Sequence, residues 1–354
     1  MIPVVDLTRR LARDEPAYLA AVSRVMRSGS LLLGPELTAF EAEAADALGD
    51  QEMVAVSSGA AAIQLIIEAL GIGRGDEVIV PAFTAVPTVS AVCATGATPV
   101  PVDVEPETAL IDPVGVRAAI TERTRAVVPV HLYGRPADLD QLAGLGIVVI
   151  EDAAQAHGAT SGPGHDARGV ATAYSFYPTK NLGGIGDGGA VGTSDVELAA
   201  SIRRRRTHGM TEQYVHVEVS QNFRMSEIEA AWLRLQLPDL EAATARRRAI
   251  ARHYRETAPQ LEWQADHVDH VFHLCVARAN DRERLRAELA AAGVATAIHY
   301  PLAITQQPAY RQLAGPPCPE AERWAAGCVS VPCFPELSDA EVETVGQALA
   351  LVAP

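Results

Sequence analysis

"SFYPTKNLGGIGDGGAV", residues 175–191, carries one lysine, one acid and five glycines, and the fold turns on which of two readings it satisfies. Gly184, Gly186 and Gly189 match the G-x-G-x-x-G spacing of a dinucleotide cradle, yet Lys180 and Ser175 just upstream are residues that such a cradle does not use. A dinucleotide fingerprint follows a strand, opens a helix and is answered by an acid about 20 residues later. Here "AVGTS" after Gly189 is a strand pattern, a helix begins only near Asp195, and position 209 is a glycine. A Walker loop fails as well, because no Gly-Lys-Ser/Thr follows a strand. Lys180, by contrast, is the single lysine of the chain, so amine chemistry has one side-chain candidate. A lysine amine condenses with carbonyl cofactors, of which pyridoxal 5'-phosphate (PLP) is the common one.

A PLP site needs an acid against the pyridine nitrogen, donors for the phosphate, and packing on the ring faces. The sequence around residue 175 shows where these would come from. From residue 52 onward, short Val/Ile-rich runs alternate with helical stretches: "MVAVS", "DEVIVPAF", "TPVPVDV", "RAVVPVHLYG" and "IVVIEDAA" each precede a helical pattern or loop, including a helix expected in "ADLDQLAGLG". Such alternation predicts a mainly parallel sheet covered on both faces, with ligands at the carboxyl ends of its strands. That rule singles out Ser57 and Ser58, Phe83, His131, and the Glu151-Asp152 pair. Asp152 ends a buried strand, where a charge is costly without a partner, and is the candidate acid; Glu151 reads as a strand-end cap. "SSGAA" (57–61) is a strand-to-helix turn whose free N–H groups favour an anion, although an ordinary N-cap explains it equally. Ser175 adds a hydroxyl.

The remaining sequence narrows the class. The 354 residues, 48% hydrophobic and 21% charged, predict a globular chain of about two domains. A net charge of -15 disfavours a nucleic acid partner, and the run Arg203–Arg206 reads as a solvated helix face. Five scattered cysteines, without a C-x-x-C pair, support neither a disulfide framework nor a zinc site. No metal site is expected, and His270 and His273 read as structural residues on opposite faces of a strand. No apolar run reaches signal or membrane-span length, so the expected location is the cytoplasm, without a membrane partner. Ser226 with Glu229 reads as a capping box. A change of texture after "QNFRMSEIEAAWLRLQLPDL" sets the expected division at 1–240, a large domain, and 241–354, a small C-terminal domain.

Taken together, "SFYPTKNLGGIGDGGAV", "VIEDAAQAHGA", "VIVPAFTAVPTVSAV", "PVHLYG" and "QNFRMSEIEAA" resemble the DegT/DnrJ/EryC1/StrS family, PLP-dependent aminotransferases of sugar and cyclitol biosynthesis. The resemblance implies an α/β protein of the fold type I aminotransferase class, with a mainly parallel central sheet in the large domain and a smaller α+β domain. It makes Lys180 the cofactor-bearing lysine, Asp152 the pyridinium partner, Gln155 a neighbour of the ring hydroxyl, and Ser175 with Ser58, Gly59 and Ala60 the phosphate contacts. Asn222 would reach the phosphate of a neighbouring subunit, which implies a homodimer with active sites at the interface. The sequence departs from the family at Ala60, where a threonine is frequent, and at Ala85, where an aromatic often stacks on the ring. Phe83 is the nearest aromatic, and stacking and core packing are both open for it.

The implied reaction moves an amino group from an amino acid, L-glutamate by analogy, to a keto sugar, in the first instance a nucleotide-linked keto-deoxysugar of aminosugar or antibiotic biosynthesis. A cyclitol aminotransferase using L-glutamine is the alternative, and a catalytically silent regulatory member is a third reading that the intact Lys180, Asp152 and Ser175 oppose. His208, His299 and Tyr300 are candidates for substrate contacts, with a buried, backbone-satisfied histidine as the competing reading.

Overall fold

The structure is a computed structural model in which residues 1–159, 168–313 and 315–352 are described. Seven strands form the main sheet: β1 (Glu52–Val56), β2 (Glu77–Pro81), β3 (Thr98–Val102), β4 (Thr124–Val127), β5 (Val148–Asp152), β6 (Ala171–Ser175) and β7 (Gly189–Thr193), in the order β1-β7-β6-β5-β4-β2-β3. From β6 to β3 every pairing is parallel, and β7 lies antiparallel between β6 and β1. The mainly parallel sheet expected from the Val/Ile runs is therefore present.

Seven helices accompany it: α1 (Leu7–Ser28), α2 (Pro35–Leu48), α3 (Gly59–Ala69), α4 (Val86–Ala94), α5 (Pro113–Ala119), α6 (Val196–Arg205) and α7 (Glu227–Gln236). Alternation along the strands sends Val54, Val56, Ala173 and Val191 to one face, against Leu65, Val89 and Ile202 of α3, α4 and α6. Met53, Ala55, Tyr174 and Ala190 go to the other, against Phe40 of α2 and Trp232 of α7. Burial on both faces is why these strands carry apolar residues at nearly every position.

A short hairpin, β8 (Met210–Glu212) and β9 (Val215–His216), precedes α7. The chain continues through α8 (Leu240–Thr257) into a three-stranded antiparallel sheet of β10 (Glu262–Trp263), β11 (Cys275–Arg278) and β12 (Cys328–Val331), with α9 (Arg282–Ala291), α10 (Pro319–Gly327) and α11 (Asp339–Leu351). The expected boundary at 240 falls at the start of α8. The N-terminus nevertheless reaches the later part of the chain: Ile2 exchanges backbone hydrogen bonds with Gly293 and Ala295 (2.7 and 2.9 Å), and Arg9 pairs with Glu341 at 2.7 Å.

Several local expectations are corrected. The helix expected at 137–146 is a single turn: Ala143 N–H donates to Leu139 O (2.8 Å), but Gly144 and Gly146 adopt left-handed φ of 79° and 76° and end it. The strand around His270 and His273 begins only at Cys275, and "VATAIHYP" (294–301) contributes two isolated bridges, Val294 to Ile2 and Ala297 to Ser330. The Arg203–Arg206 run is not a solvated face, since Arg203 meets Glu52 (2.7 Å), Arg204 and Arg205 share Glu218, and the buried Arg206 pairs with Glu41. The capping box at Ser226 is half made: Ser226 Oγ accepts from Glu229 N–H (3.2 Å), while the Glu229 carboxylate turns toward the glycine-rich loop.

Glu227, at the first turn of α7, holds two helices together. Its buried carboxylate accepts from the N–H groups of Gly34, Glu36 and Leu37 at 2.8, 2.8 and 3.1 Å, and so caps the N-terminus of α2. Glu227→Ala leaves those donors without an acceptor and is expected to cost about 3 kcal/mol, read as a lowered thermal unfolding midpoint, with Glu227→Gln falling between the variant and the native protein.

Candidate active site

The carboxyl ends of β5 and β6, the N-terminus of α3 and the loop 176–188 meet at one place. Ser58 caps α3, its Oγ accepting from Ala61 N–H at 3.1 Å, which leaves the other first-turn N–H groups free at the helix end. A Cβ added at Gly59 would lie 2.7 Å from Ser175 Cβ, and one at Gly189 would collide with the Ser58 carbonyl. Only glycine at both positions lets the end of β6, the start of β7 and the α3 turn touch. Ser175, Ser58, Gly59 and the adjoining Ala60 thus form one contiguous hydroxyl and amide cradle, a geometry suited to a phosphate.

The glycines of the loop work by close approach. None of Gly183, Gly184, Gly186, Gly188 and Gly189 has a left-handed φ, and at Gly183, Gly184 and Gly189 an added Cβ would meet another atom within 2.3 Å. Under Gly184 sits the Glu229 carboxylate, which accepts from Ile185 N–H at 3.1 Å and would be struck by any Cβ at 184. Burial pushes Glu229 up to about 7, against the lowering effect of its hydrogen bonds to Ile185 and Gly186. Asp187 is exposed.

Lys180 follows a turn closed by its own N–H to Tyr177 O (2.8 Å), and its side chain enters a cavity of about 340 Å3 lined also by Tyr177, His273, His299 and Tyr300. The amine makes no ion pair among the described residues. Burial pushes it down to about 8, while the Asp152 charge pulls the other way. Asp152 is 4% exposed; its Oδ2 accepts from Thr88 Oγ1 (2.7 Å) and its Oδ1 from Ala154 N–H (3.1 Å), which leaves lone pairs for a further donor. Gln155 spans the site: Oε1 accepts from Tyr133 N–H at 2.7 Å, and Nε2 donates to the Tyr300 hydroxyl at 3.1 Å. His299 Nδ1 meets Ser330 Oγ at 2.8 Å, and burial together with Lys180 holds its ring neutral.

Lys180, His299 and Tyr300 therefore share one cavity, with Gln155 joined through Tyr300, and Asp152 close enough to act on the Lys180 charge. Phe83 is corrected: it is 0% exposed, stacked near Trp324 (6.3 Å) and edge-on to Tyr133 (6.5 Å), so its ring is core and presents no face to a ligand. His208 and Asn222 are exposed outside the cavity; Asn222 Oδ1 accepts from Arg224 Nε (2.9 Å). Glu151 is tied to His131 Nε2 (3.0 Å) and Gly169 N–H (2.7 Å), in keeping with a structural cap.

Sequence reasoning missed Thr88 and His157, and read His273 as structural. Thr88 lies within "TAVPTVSAV", one helical turn after Thr84, which it meets at 3.2 Å; two threonines opening a helix behind a strand were the available signal. His157, two residues beyond Gln155, is fully buried between Tyr174 and Phe176 and is pushed down to about 3, chiefly by burial and then by Lys180. His273 lines the Lys180 cavity with an unpartnered Nδ1, and burial and Lys180 keep it neutral. It sits there because 270–274 is not a strand.

The chain is similar to several known proteins. The model of the DegT/DnrJ/EryC1/StrS aminotransferase family matches residues 13–350. A dTDP-3-amino-3,4,6-trideoxy-alpha-D-glucose transaminase of Streptomyces venezuelae is 44% identical over 348 residues, 95% of this chain and 92% of the relative. The crystal structure of S. venezuelae DesV in complex with a ketimine intermediate superposes with a TM-score of 0.95 at 42% identity, covering 99% of this chain and 97% of that one. A structure of ntda from Bacillus subtilis with bound cofactor PMP gives 0.92 at 30% identity, over 98% and 84%.

Two pH predictions follow. Reductive alkylation of the cofactor-free protein by a small aldehyde, mapped to the Lys180 peptide by mass spectrometry, is expected to be half-maximal near pH 8 rather than above 10. Glu229 is raised in the folded state, so its stabilising contribution is present below the unfolded carboxyl value and is lost as pH rises through about 7. The thermal midpoint of Glu229→Gln relative to the native protein is therefore expected to be higher at pH 8 than at pH 5.

Proposed function

Because this chain belongs to the DegT/DnrJ/EryC1/StrS aminotransferase family, and is with it a PLP-dependent sugar aminotransferase, we propose that it transfers the amino group of L-glutamate to a nucleotide-linked keto-deoxysugar, as a homodimer in which Asn222 completes the neighbour's phosphate site. The observation that carries the reading is the single lysine, desolvated and unpaired, in a cavity beside a buried aspartate and a phosphate-shaped cradle, in a chain 44% identical to a transaminase of a dTDP-linked trideoxysugar.

The residues fit the cofactor. Gly59 leaves the α3 turn open against Ser175 where a Cβ would fill it, so Ser58, Ser175 and the α3 amides would hold the phosphate. Asp152, buried and with acceptor capacity left, would hold a ring N–H, and Gln155 would stand near the ring hydroxyl. When bound, PLP supplies an aldehyde and a conjugated ring that delocalises the electron pair left by breaking a C–H bond next to nitrogen. Lys180 Nζ, poised near 8, is partly neutral close to neutral pH and fully able to take a proton there, so it accepts the substrate proton and returns it on the other side as general base and acid. The neutral His273 and His299 line the cavity without adding a competing cation. Tyr300 and His299 would contact the substrate.

Lys180→Ala is expected to lower kcat/KM about a thousandfold and Asp152→Asn about a hundredfold, measured as amine transfer to a panel of nucleotide keto-sugars and keto-cyclitols with glutamate or glutamine as donor. Amination of cyclitols alone, with glutamine, would replace the nucleotide-sugar reading by the cyclitol one, and full activity in Lys180→Ala would remove both.

A further inference from the structure

The chain that carries Lys180 is fastened differently on its two sides. After the lysine, Asn181 Nδ2 donates to Val271 O (3.0 Å), and Gly183 O accepts from Trp232 Nε1 of α7 (2.9 Å). Before it stand Pro178, which has no N–H to give, and Thr179; among the described residues their one hydrogen bond runs from Arg10 Nη2 to Pro178 O, at 2.7 Å. Arg10 lies on α1, and its guanidinium meets both arms of the turn: a Cβ added at Gly183 would stand 2.8 Å from Arg10 Nη2 and would strike the Pro178 carbonyl. Glu336 and Asp14 act on the Arg10 charge without an ion pair among the described residues. The short contact of this guanidinium is therefore with a backbone carbonyl, which it orients.

Arg10 is also the end of a span that crosses the cavity wall. Ile2 exchanges backbone hydrogen bonds with Gly293 and Ala295 (2.7 and 2.9 Å), shortly before His299. Val4 and Val5 then line the Lys180 cavity. Asp6 caps α1 by accepting from Thr8 N–H (3.0 Å), and Arg9 donates to Glu336 O (3.1 Å) and to the Glu341 carboxylate (2.7 Å). Residues 2–10 thus run from the segment that carries His299 and Tyr300, along the cavity, to the turn that carries Lys180, and they are tied at both ends.

We infer that Arg10 is a positioning residue for Lys180: by holding the Pro178 carbonyl it fixes the turn from which the lysine enters the cavity, and residues 2–10 keep that turn in place against the wall formed by His299 and Tyr300. The inference rests on the aminotransferase reading for the task of the lysine, and on the hydrogen bonds for its position. A turn released at Pro178 lets the amine move toward water, where it regains hydration and returns toward the ordinary lysine value of about 10.4. A displacement of about 1 Å from the reacting carbon also slows proton transfer, while the groups that bind the substrate stay where they are.

The test is the pH profile of reductive alkylation of Lys180 in the cofactor-free protein, mapped by mass spectrometry, in Arg10→Met, which keeps an aliphatic stem and removes the donor. With circular dichroism unchanged, the half-maximal pH is expected to rise by about one unit above that of the native protein. Arg10→Gln, a shorter donor, is expected to raise it by about half as much, and decides alone if Arg10→Met does not fold. With PLP bound, the single-turnover rate at saturating glutamate or glutamine, whichever the native protein accepts, is followed by visible absorbance. It is expected to fall about tenfold in Arg10→Met, with the donor concentration at half-maximal rate within about twofold of native. An alkylation profile at the native pH in the folded variant overturns the inference, as does a native single-turnover rate in Arg10→Met. A native protein that reacts with neither donor would remove the donor reading, and the alkylation profile would still decide the role of Arg10.

Discussion

Where β6 ends and β7 begins, the chain has no room for a side chain. Ser175 lies against Gly59, the Ser58 carbonyl lies against Gly189, and Gly184 covers the carboxylate of Glu229. That close approach joins three parts of the chain that are distant in sequence: the α3 turn after β1, the end of β6 and the first turn of α7. The loop between β6 and β7 then has little freedom, and Lys180 emerges from it toward the small antiparallel sheet. A larger residue at 59 or 189 would separate the hydroxyls of Ser58 and Ser175 from each other and move the lysine with them.

The electrostatics of the site follow from that packing. Lys180 loses hydration in the cavity and is pushed down toward neutrality, yet Asp152 keeps it from falling further. Asp152 bears this role because β5 is central in a parallel sheet, so its last residue is covered on both sides, and Thr88 and Ala154 satisfy part of the carboxylate without adding charge. The histidines around the lysine are neutral for the same reason that the lysine is weakened: burial and a shared positive neighbour disfavour their protonation. The lysine thus shares its cavity with neutral histidines and tyrosines and with the Arg247 guanidinium, while the Asp152 charge acts on it from beside the cavity.

Much of this was legible in the sequence. A single lysine needs no structure to be found, and Asp152 was marked by a strand of apolar residues ending in an acid. The parallel sheet was legible because burial on both faces writes itself as continuous Val and Ile. What failed was local geometry decided from afar. "ADLDQLAGLG" has a helical pattern, but two glycines with left-handed φ end it after one turn. Phe83 stands at a strand end, as a ligand contact would, yet Trp324 and Tyr133, far along the chain, enclose it. Glu229 satisfies the spacing of a capping box, but the amides of Ile185 and Gly186 compete for its carboxylate and win.

The same competition explains why the arginines divide as they do. Arg206 and Arg278 face glutamates that the fold brings to them, and their burial is locally balanced. Arg247 is held by carbonyl oxygens, which orient a guanidinium without neutralising it. It is also one of the residues common to the Lys180 cavity and a neighbouring one, with Val5, Thr179 and Phe334. A fold that needed Arg247 only as a strut between α8 and the segment after β12 would be served by a neutral donor at lower desolvation cost. Held by carbonyl oxygens, with Glu336 as the acid that acts on it, Arg247 keeps its charge beside the cavity that the Lys180 amine enters.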